Sequence, residues 1–186
     1  MNILSKAILY AVLILMTACK SADTYRDPKM DFGSIYTVAV MPLTNLTKEQ
    51  VAADRVRDVL MTMLLASGDV YVIPQGEVAR GVALAGVPNP AAPSNDETKK
   101  IGTVLKADAI ITGVVREYGE LRSGSAVANV LSVHFQMTEV QTGKVVWSVS
   151  STRGGISFFD RLFGGGGDPM NDITERTVKD VINKLF

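Results

Sequence analysis

Hydrophobic positions along this chain switch repeatedly between runs that suit strands and a 3.6-residue stripe that suits helices. "YTVAVMPL" has a continuous apolar centre, Val38 to Met41, the pattern of a strand covered on both faces, and Pro42 ends it. From Lys48 to Ala66 the residues Ala52, Val56, Val59, Leu60, Met63 and Leu64 share one helical stripe, while Glu49, Asp54, Arg57 and Asp58 lie off it. Ser67 and Gly68 close that helix. "DVYVIPQ" predicts a second strand and Gly76 to Ala85 a short helix. The prolines of "GVPNPAAPSN" forbid a helix there, because each lacks an amide donor and restricts the residue before it. Ser94 and Glu97 have the spacing of a capping box that opens a helix through Ile101, Val104 and Leu105, and "ADAIITGVVREYGE" follows as a strand.

The clearest alternation comes next. Val127, Leu131, Val133, Phe135 and Met137 alternate with Ser132, His134, Gln136 and Thr138, which buries one face and leaves the other polar. "VQTGKV" turns the chain, and Val145, Trp147 and Val149 against Ser148, Ser150 and Thr152 complete an antiparallel hairpin. Asp168 is placed to cap a last helix with Pro169 in its first position, and Ile173, Val178, Val181, Ile182 and Leu185 give it an apolar stripe. Strands interleaved with helices predict an α/β (α+β) fold: a mixed sheet flanked by helices, with a C-terminal antiparallel hairpin and a terminal helix. No internal repeat is visible.

The amino end breaks this pattern. Lys6 precedes an apolar stretch, Ala7 to Met16, followed by the small residues Thr17 and Ala18, which is the layout of a secretory signal over residues 1–18. The stretch rises only about 15 Å as a helix, against a hydrocarbon core of roughly 30 Å, so a permanent span is the poorer reading. The chain's single cysteine, Cys19, follows at once, and a lone thiol excludes a disulfide framework. After it, residues 19–34 are polar with Pro28 and Gly33 and no sustained period, which reads as a lipidated cysteine and a flexible tether ahead of one domain over 35–186. A tether from Lys20 to Ser34 reaches at most ~50 Å.

Composition adds mainly exclusions. With 186 residues, 47% of them hydrophobic and 20% charged, the chain can bury a real core. Basic and acidic residues number 19 each, so no basic field points to a nucleic-acid partner.

"LMTAC" resembles the bacterial lipobox, in which the cysteine takes a diacylglycerol and becomes the acylated first residue; Met16 departs mildly from the usual Leu. That resemblance implies a membrane anchor at Cys19. Lys20, where an aspartate would favour inner-membrane retention, implies the periplasmic face of the outer membrane. "VAVMPLTNLT", the strand ending in "VIPQ", "GTVLKADAIITGVV" and "VHFQMTEVQTGKVVWSVS" together resemble the curli-secretion lipoprotein (CsgG) family and its relatives, including the penicillin-binding-protein activator lipoproteins, over about Ile35 to Ser151. The resemblance implies a non-catalytic accessory of envelope assembly or secretion, with envelope protein partners and possible self-association. Curli-secretion pores carry long membrane-inserting hairpins; "REYGELRSGSA" is too short for one, so no pore-forming barrel is expected.

Catalytic constellations are not evident. His134, the sole histidine, falls on a polar strand face and reads as solvated. Glu117 and Glu120 read as loop charges rather than an acid and base pair. One His and one Cys make no metal set, "GGGGDP" lacks the spacing of a phosphate loop, and no cofactor is implied. Asn45 in "NLT" matches a glycosylation acceptor that a bacterial lipoprotein would not use. The remaining candidate is "ISFFDRLFGGGG", where Phe158, Phe159, Leu162 and Phe163 would gather on one side of a short helical turn as a membrane or partner contact. The function expected is therefore an outer-membrane-anchored interaction or assembly module, the alternative being a periplasmic lipoprotein that binds a small ligand or polysaccharide.

Overall fold

The computed structural model describes residues 24–123, 126–154 and 167–186. The signal, Cys19 and the aromatic stretch at 158–163 lie outside the described residues. Strand β1 spans Thr24–Arg26, and a 3₁₀ turn at Phe32–Ser34 leads to β2, Thr37–Val40, and β3, Thr44–Asn45. Helix α1 (Ala52–Ser67), β4 (Tyr71–Val72), α2 (Gln75–Ala85) and α3 (Asn95–Leu105) follow, then β5 (Ala109–Ser123), β6 (Ala126–Glu139), β7 (Val145–Gly154) and α4 (Met170–Ile182). The seven strands form one mixed sheet in the order β1-β7-β6-β5-β2-β4, with β3 also on β5.

Local chemistry sets the helix ends. Gly68 closes α1 at φ 75°, a conformation that costs a glycine no Cβ clash. Ser94 and Glu97 form the expected capping box: the Glu97 amide donates to Ser94 Oγ (3.3 Å) and the Ser94 amide to Glu97 Oε2 (2.7 Å). The last helix starts one residue later than expected. Pro169 is extended (φ −57°, ψ 145°) and is itself the cap, so Asp168 pairs with Arg176 at 2.7 Å instead.

One face of the sheet is covered by α1 and α4 over a core containing Leu60, Leu64, Leu131, Phe135, Trp147 and Val178. Trp147 Nε1 donates to the Lys184 carbonyl at 3.1 Å, which seats the end of α4. Asp180 on α4 accepts from Ser151 Oγ (2.9 Å) on β7 and from Lys184 Nζ (3.0 Å). On the other face, α2 and α3 cover a smaller cluster of Ala39, Met41, Ile73, Val78, Ile101 and Ile110, which reaches only β2, β4 and the start of β5. The rest of that face has no helix over it among the described residues.

Two features differ from the sequence expectation. Residues 24–34 are docked, not a free tether: Thr24, Tyr25 and Arg26 pair antiparallel with Val149, Ser148 and Trp147, and Phe32 and Ile35 are buried. A three-residue strand is too short to show a period, and it forms because β7 offers an open edge. Arg57, off the apolar stripe of α1, is only 9% exposed. Its Nε and Nη2 donate to the Val40 carbonyl at 3.2 and 2.5 Å. That carbonyl points to the β4 side of β2, where Ile73 already bonds to Val38 and Pro74 ends the strand. Arg57 therefore replaces the missing strand residue. Replacing it in Arg57→Met leaves a buried carbonyl unpaired, and urea unfolding should show a loss of about 1–3 kcal/mol; an unchanged midpoint would refute the strand-capping role.

Candidate functional site

The uncovered half of the sheet is built by cross-strand register. Thr112, Gln136, Ser148 and Tyr25 form one row across β5, β6, β7 and β1, and Val114, His134 and Ser150 form the next. Ser132 and Thr152 make a third. The alternation in β6 and β7 turns every second residue to this side, where Gln136, Ser148, His134 and Ser150 are half-buried, Thr152 is exposed and Ser132 is buried. Ser132 and Thr152 share a hydrogen bond at 2.9 Å, and His134 Nδ1 lies 3.1 Å from Ser150 Oγ. Tyr25, half exposed on the edge strand, gives this polar surface an aromatic side.

His134 is half-buried rather than solvated, because neighbouring strands and the Ser150 contact enclose its ring. Burial pushes its pKa down, the Arg116 cation adds to that, and a hydrogen bond with the Val149 backbone works against both. The imidazole is thus neutral at physiological pH, and the charge acting on it is a cation, opposite to the carboxylate that orients a catalytic His. Sequence reading missed the Ser150 partner, since a bulge at the Thr138–Val145 end of β6 and β7 displaces the register that the "TGK" turn would suggest.

A second bulge, at Arg116 between Val115 and Glu117, inverts which residues of β5 face the open side. Glu117 falls opposite Ser132 and Glu120 opposite Asn129, on opposite faces, so the two carboxylates cannot work as a pair. Glu120 binds Arg122 at 2.9 Å, both exposed. The same bulge turns Tyr118 toward the α1 side, where it packs against the main core. Between the 46–49 loop and the end of β5 lies a groove of about 470 Å³, bordered by Leu46, Leu121 and Val130 and by the charged Lys48, Arg116 and Glu117. Among the described residues no His, Cys, Asp and Glu cluster could hold a metal. Asn45 is committed to its own turn, donating to the Glu49 carbonyl at 2.8 Å. What this arrangement offers chemically is hydrogen bonding across a flat sheet face.

Residues 19–152 match the family described as peptidoglycan-synthase activator LpoB. The chain belongs to the LpoB family. Its membership supports the activator side of the resemblance read from the sequence and lends nothing to the curli-secretion side. No curated protein matches the sequence. Among solved structures, the PelC dodecamer from Paraburkholderia phytofirmans superposes with a TM-score of 0.58 at 19% identity, covering 87% of this chain and 96% of that one. Lipoprotein GNA1162 from Neisseria meningitidis gives 0.57 at 19% identity over 81% and 97%. The LpoB C-terminal domain from Salmonella enterica gives 0.51 at 15% identity over 68% and 87%. At these identities the likeness establishes the shared fold. Membership of an activator family fits a non-catalytic protein of the cell envelope.

The His134 environment makes a pH prediction for this LpoB-family chain. Its pKa in the fold lies below the ordinary 6.5, so the unfolded chain binds the proton more tightly. The stabilisation is full above about pH 6.5 and is lost as pH falls through and below that value. Because His134 is the only histidine, His134→Gln should flatten the stability change between about pH 7 and 5; identical pH profiles for the two proteins would overturn this.

Proposed function

We propose that this protein is a lipid-anchored, non-catalytic interaction module at the periplasmic face of the outer membrane, and that its partner is a peptidoglycan synthase. The observation that supports the reading best is the extent of the family match, which begins at Cys19 itself and runs to Thr152 at the outer end of β7. In this reading the Cys19 thiol carries diacylglycerol, and acyl chains contributing about 0.8 kcal/mol per buried CH₂ hold the protein durably. Lys20 favours the outer membrane. The open face of β5, β6, β7 and β1 is the partner surface, since most of its aligned donors and acceptors are half-exposed and no helix among the described residues lies above them. Among the described residues no helix is long and apolar enough to cross a membrane, so the reading relies on the acyl chains for attachment. Self-association is a second property of the module, supported by the PelC fold relative, which is a dodecamer.

Crosslinking in native membranes followed by capture should recover a peptidoglycan synthase with the wild type. Cys19→Ala should lose that capture and remain either as precursor or as soluble periplasmic protein. Capture without a synthase would refute the partner, and labelled fatty acid on Cys19→Ala would refute the anchor.

The aromatic group Phe158, Phe159, Leu162 and Phe163 completes the proposal as a contact with the bilayer or a neighbouring subunit. It lies in sequence between the last residue of β7, Gly154, and the start of α4 at Met170. Burial of each Phe contributes roughly 1.5–3 kcal/mol, so the double change Phe159→Ser and Phe163→Ser should weaken membrane or subunit association by several kcal/mol and spare the melting temperature. A large drop in melting temperature with association unchanged would show that these aromatics are core.

A further inference from the structure

We infer that the β5–β6 hairpin is the membrane-facing end of the domain and that this end meets the bilayer surface; this deepens the proposed function and rests on Cys19 being the anchor. Strand β1 is antiparallel to β7, so the chain before Thr24 leaves toward the Gly154 end of β7. β6 starts and β5 finishes at that same end, which puts their connection there too. Anchor and hairpin therefore project from one end of the sheet.

Lengths then decide the outcome. Four residues separate Cys19 from Thr24, a leash of at most about 18 Å. Thr24 is level with Val149, and Val149 with Phe135. From Phe135 to Ala126 the strand β6 runs on for nine residues, about 30 Å. The hairpin thus outreaches the leash by about 12 Å. With the acyl chains in the bilayer, the domain must either tilt until the hairpin lies along the surface or let its tip enter the headgroups, and both bring it into contact with lipid.

The chemistry of the hairpin fits a lipid surface. Past its pairing with Gly154, β6 pairs with β5 among the described strands, and Asn129 donates its side-chain amide to the Asp168 carbonyl at 3.0 Å. Beyond the Arg116 bulge, Glu117, Gly119, Leu121 and Val130 fall on the open side together with Ala128, which is buried beside Gly167, and Tyr118, Glu120, Arg122 and Asn129 fall on the other. Leu121 is 48% exposed, and Leu46, across the groove, is 65% exposed. A two-stranded ribbon is marginal in water, and an exposed leucine near its end is stabilised where it meets an apolar boundary.

The test uses the mature, lipidated full chain in phosphatidylethanolamine and phosphatidylglycerol vesicles, with acylation checked by mass. Because the native thiol is then consumed, Leu121→Cys, Leu46→Cys or Leu84→Cys carries the only reactive thiol and takes an environment-sensitive fluorophore. Leu84 is the control: it is 79% exposed on α2, near the Leu105 end of α3 that leads to the start of β5, away from the hairpin. Doxyl-labelled lipid should quench the probe at positions 121 and 46 at least about threefold more than at 84. Equal, weak quenching at all positions in acylated protein would overturn this inference alone. A probe at 121 that is shielded yet unquenched by lipid would assign the hairpin to a second copy and overturn it. Unacylated Cys19 would overturn the anchor and this inference together.

Discussion

Strand β5 must satisfy two pairing modes at once, and the rest of the sheet follows from that constraint. Its first residues pair parallel with β2 and β3, which requires helical crossovers, while its whole length pairs antiparallel with β6, which requires only a turn. Crossover helices can cover only the strands they connect. α2 and α3 therefore lie over β2, β4 and the start of β5, and among the described residues the antiparallel half keeps one face open. That half is stable because α4 returns from the chain's end to join α1 on the opposite face, burying Trp147, Phe135 and Val178. Polar residues every second position on β6 and β7 are the chemical counterpart of a face that no described helix covers.

This division explains what was legible in the sequence. Val38 to Met41, the α1 stripe, the Ser94–Glu97 box and the alternation through Phe135 and Trp147 each report a local period or a local cap, and each element stands where those signals put it. Features made by long-range pairing were not legible. Thr24–Arg26 has no pattern of its own and becomes a strand only against the edge of β7. Arg57 reads as a solvent residue until the shortness of β4 leaves a carbonyl for it to cap. The Arg116 bulge has no sequence mark, yet it decides that Leu121 faces the open side and Tyr118 the core. Of the site, the polar face was visible in the alternation, whereas the His134–Ser150 contact depended on a register that a second bulge shifts.

The same bulges account for the kind of chemistry the open face supports. Ser132 bonds Thr152 and His134 lies against Ser150 across the strands, and the imidazole of His134 stays neutral under a cation. Polar side chains held in rows on a rigid sheet lose little entropy when a partner docks, which suits recognition. General base work asks for the reverse, a carboxylate aimed at the ring and a nucleophile freed by it.

A short leash carries the argument to the mechanism of a tethered module. If Cys19 holds the membrane, docking of β1 removes most of the freedom that residues 20–34 would otherwise have, and the domain keeps both a height and an orientation relative to the bilayer. Effective concentration at the membrane surface then rises for neighbours anchored in the same leaflet and falls for anything farther than the leash and the domain together can reach. The open face runs alongside the strands, not across their ends, so a domain standing on its hairpin end presents that face sideways. A partner approaching along the membrane meets aligned hydroxyl and amide rows, whereas one approaching from above meets the turns at the start of β5 and the end of β6. Geometry of this kind selects lateral partners, including further copies of the chain, before any side chain has made a specific contact.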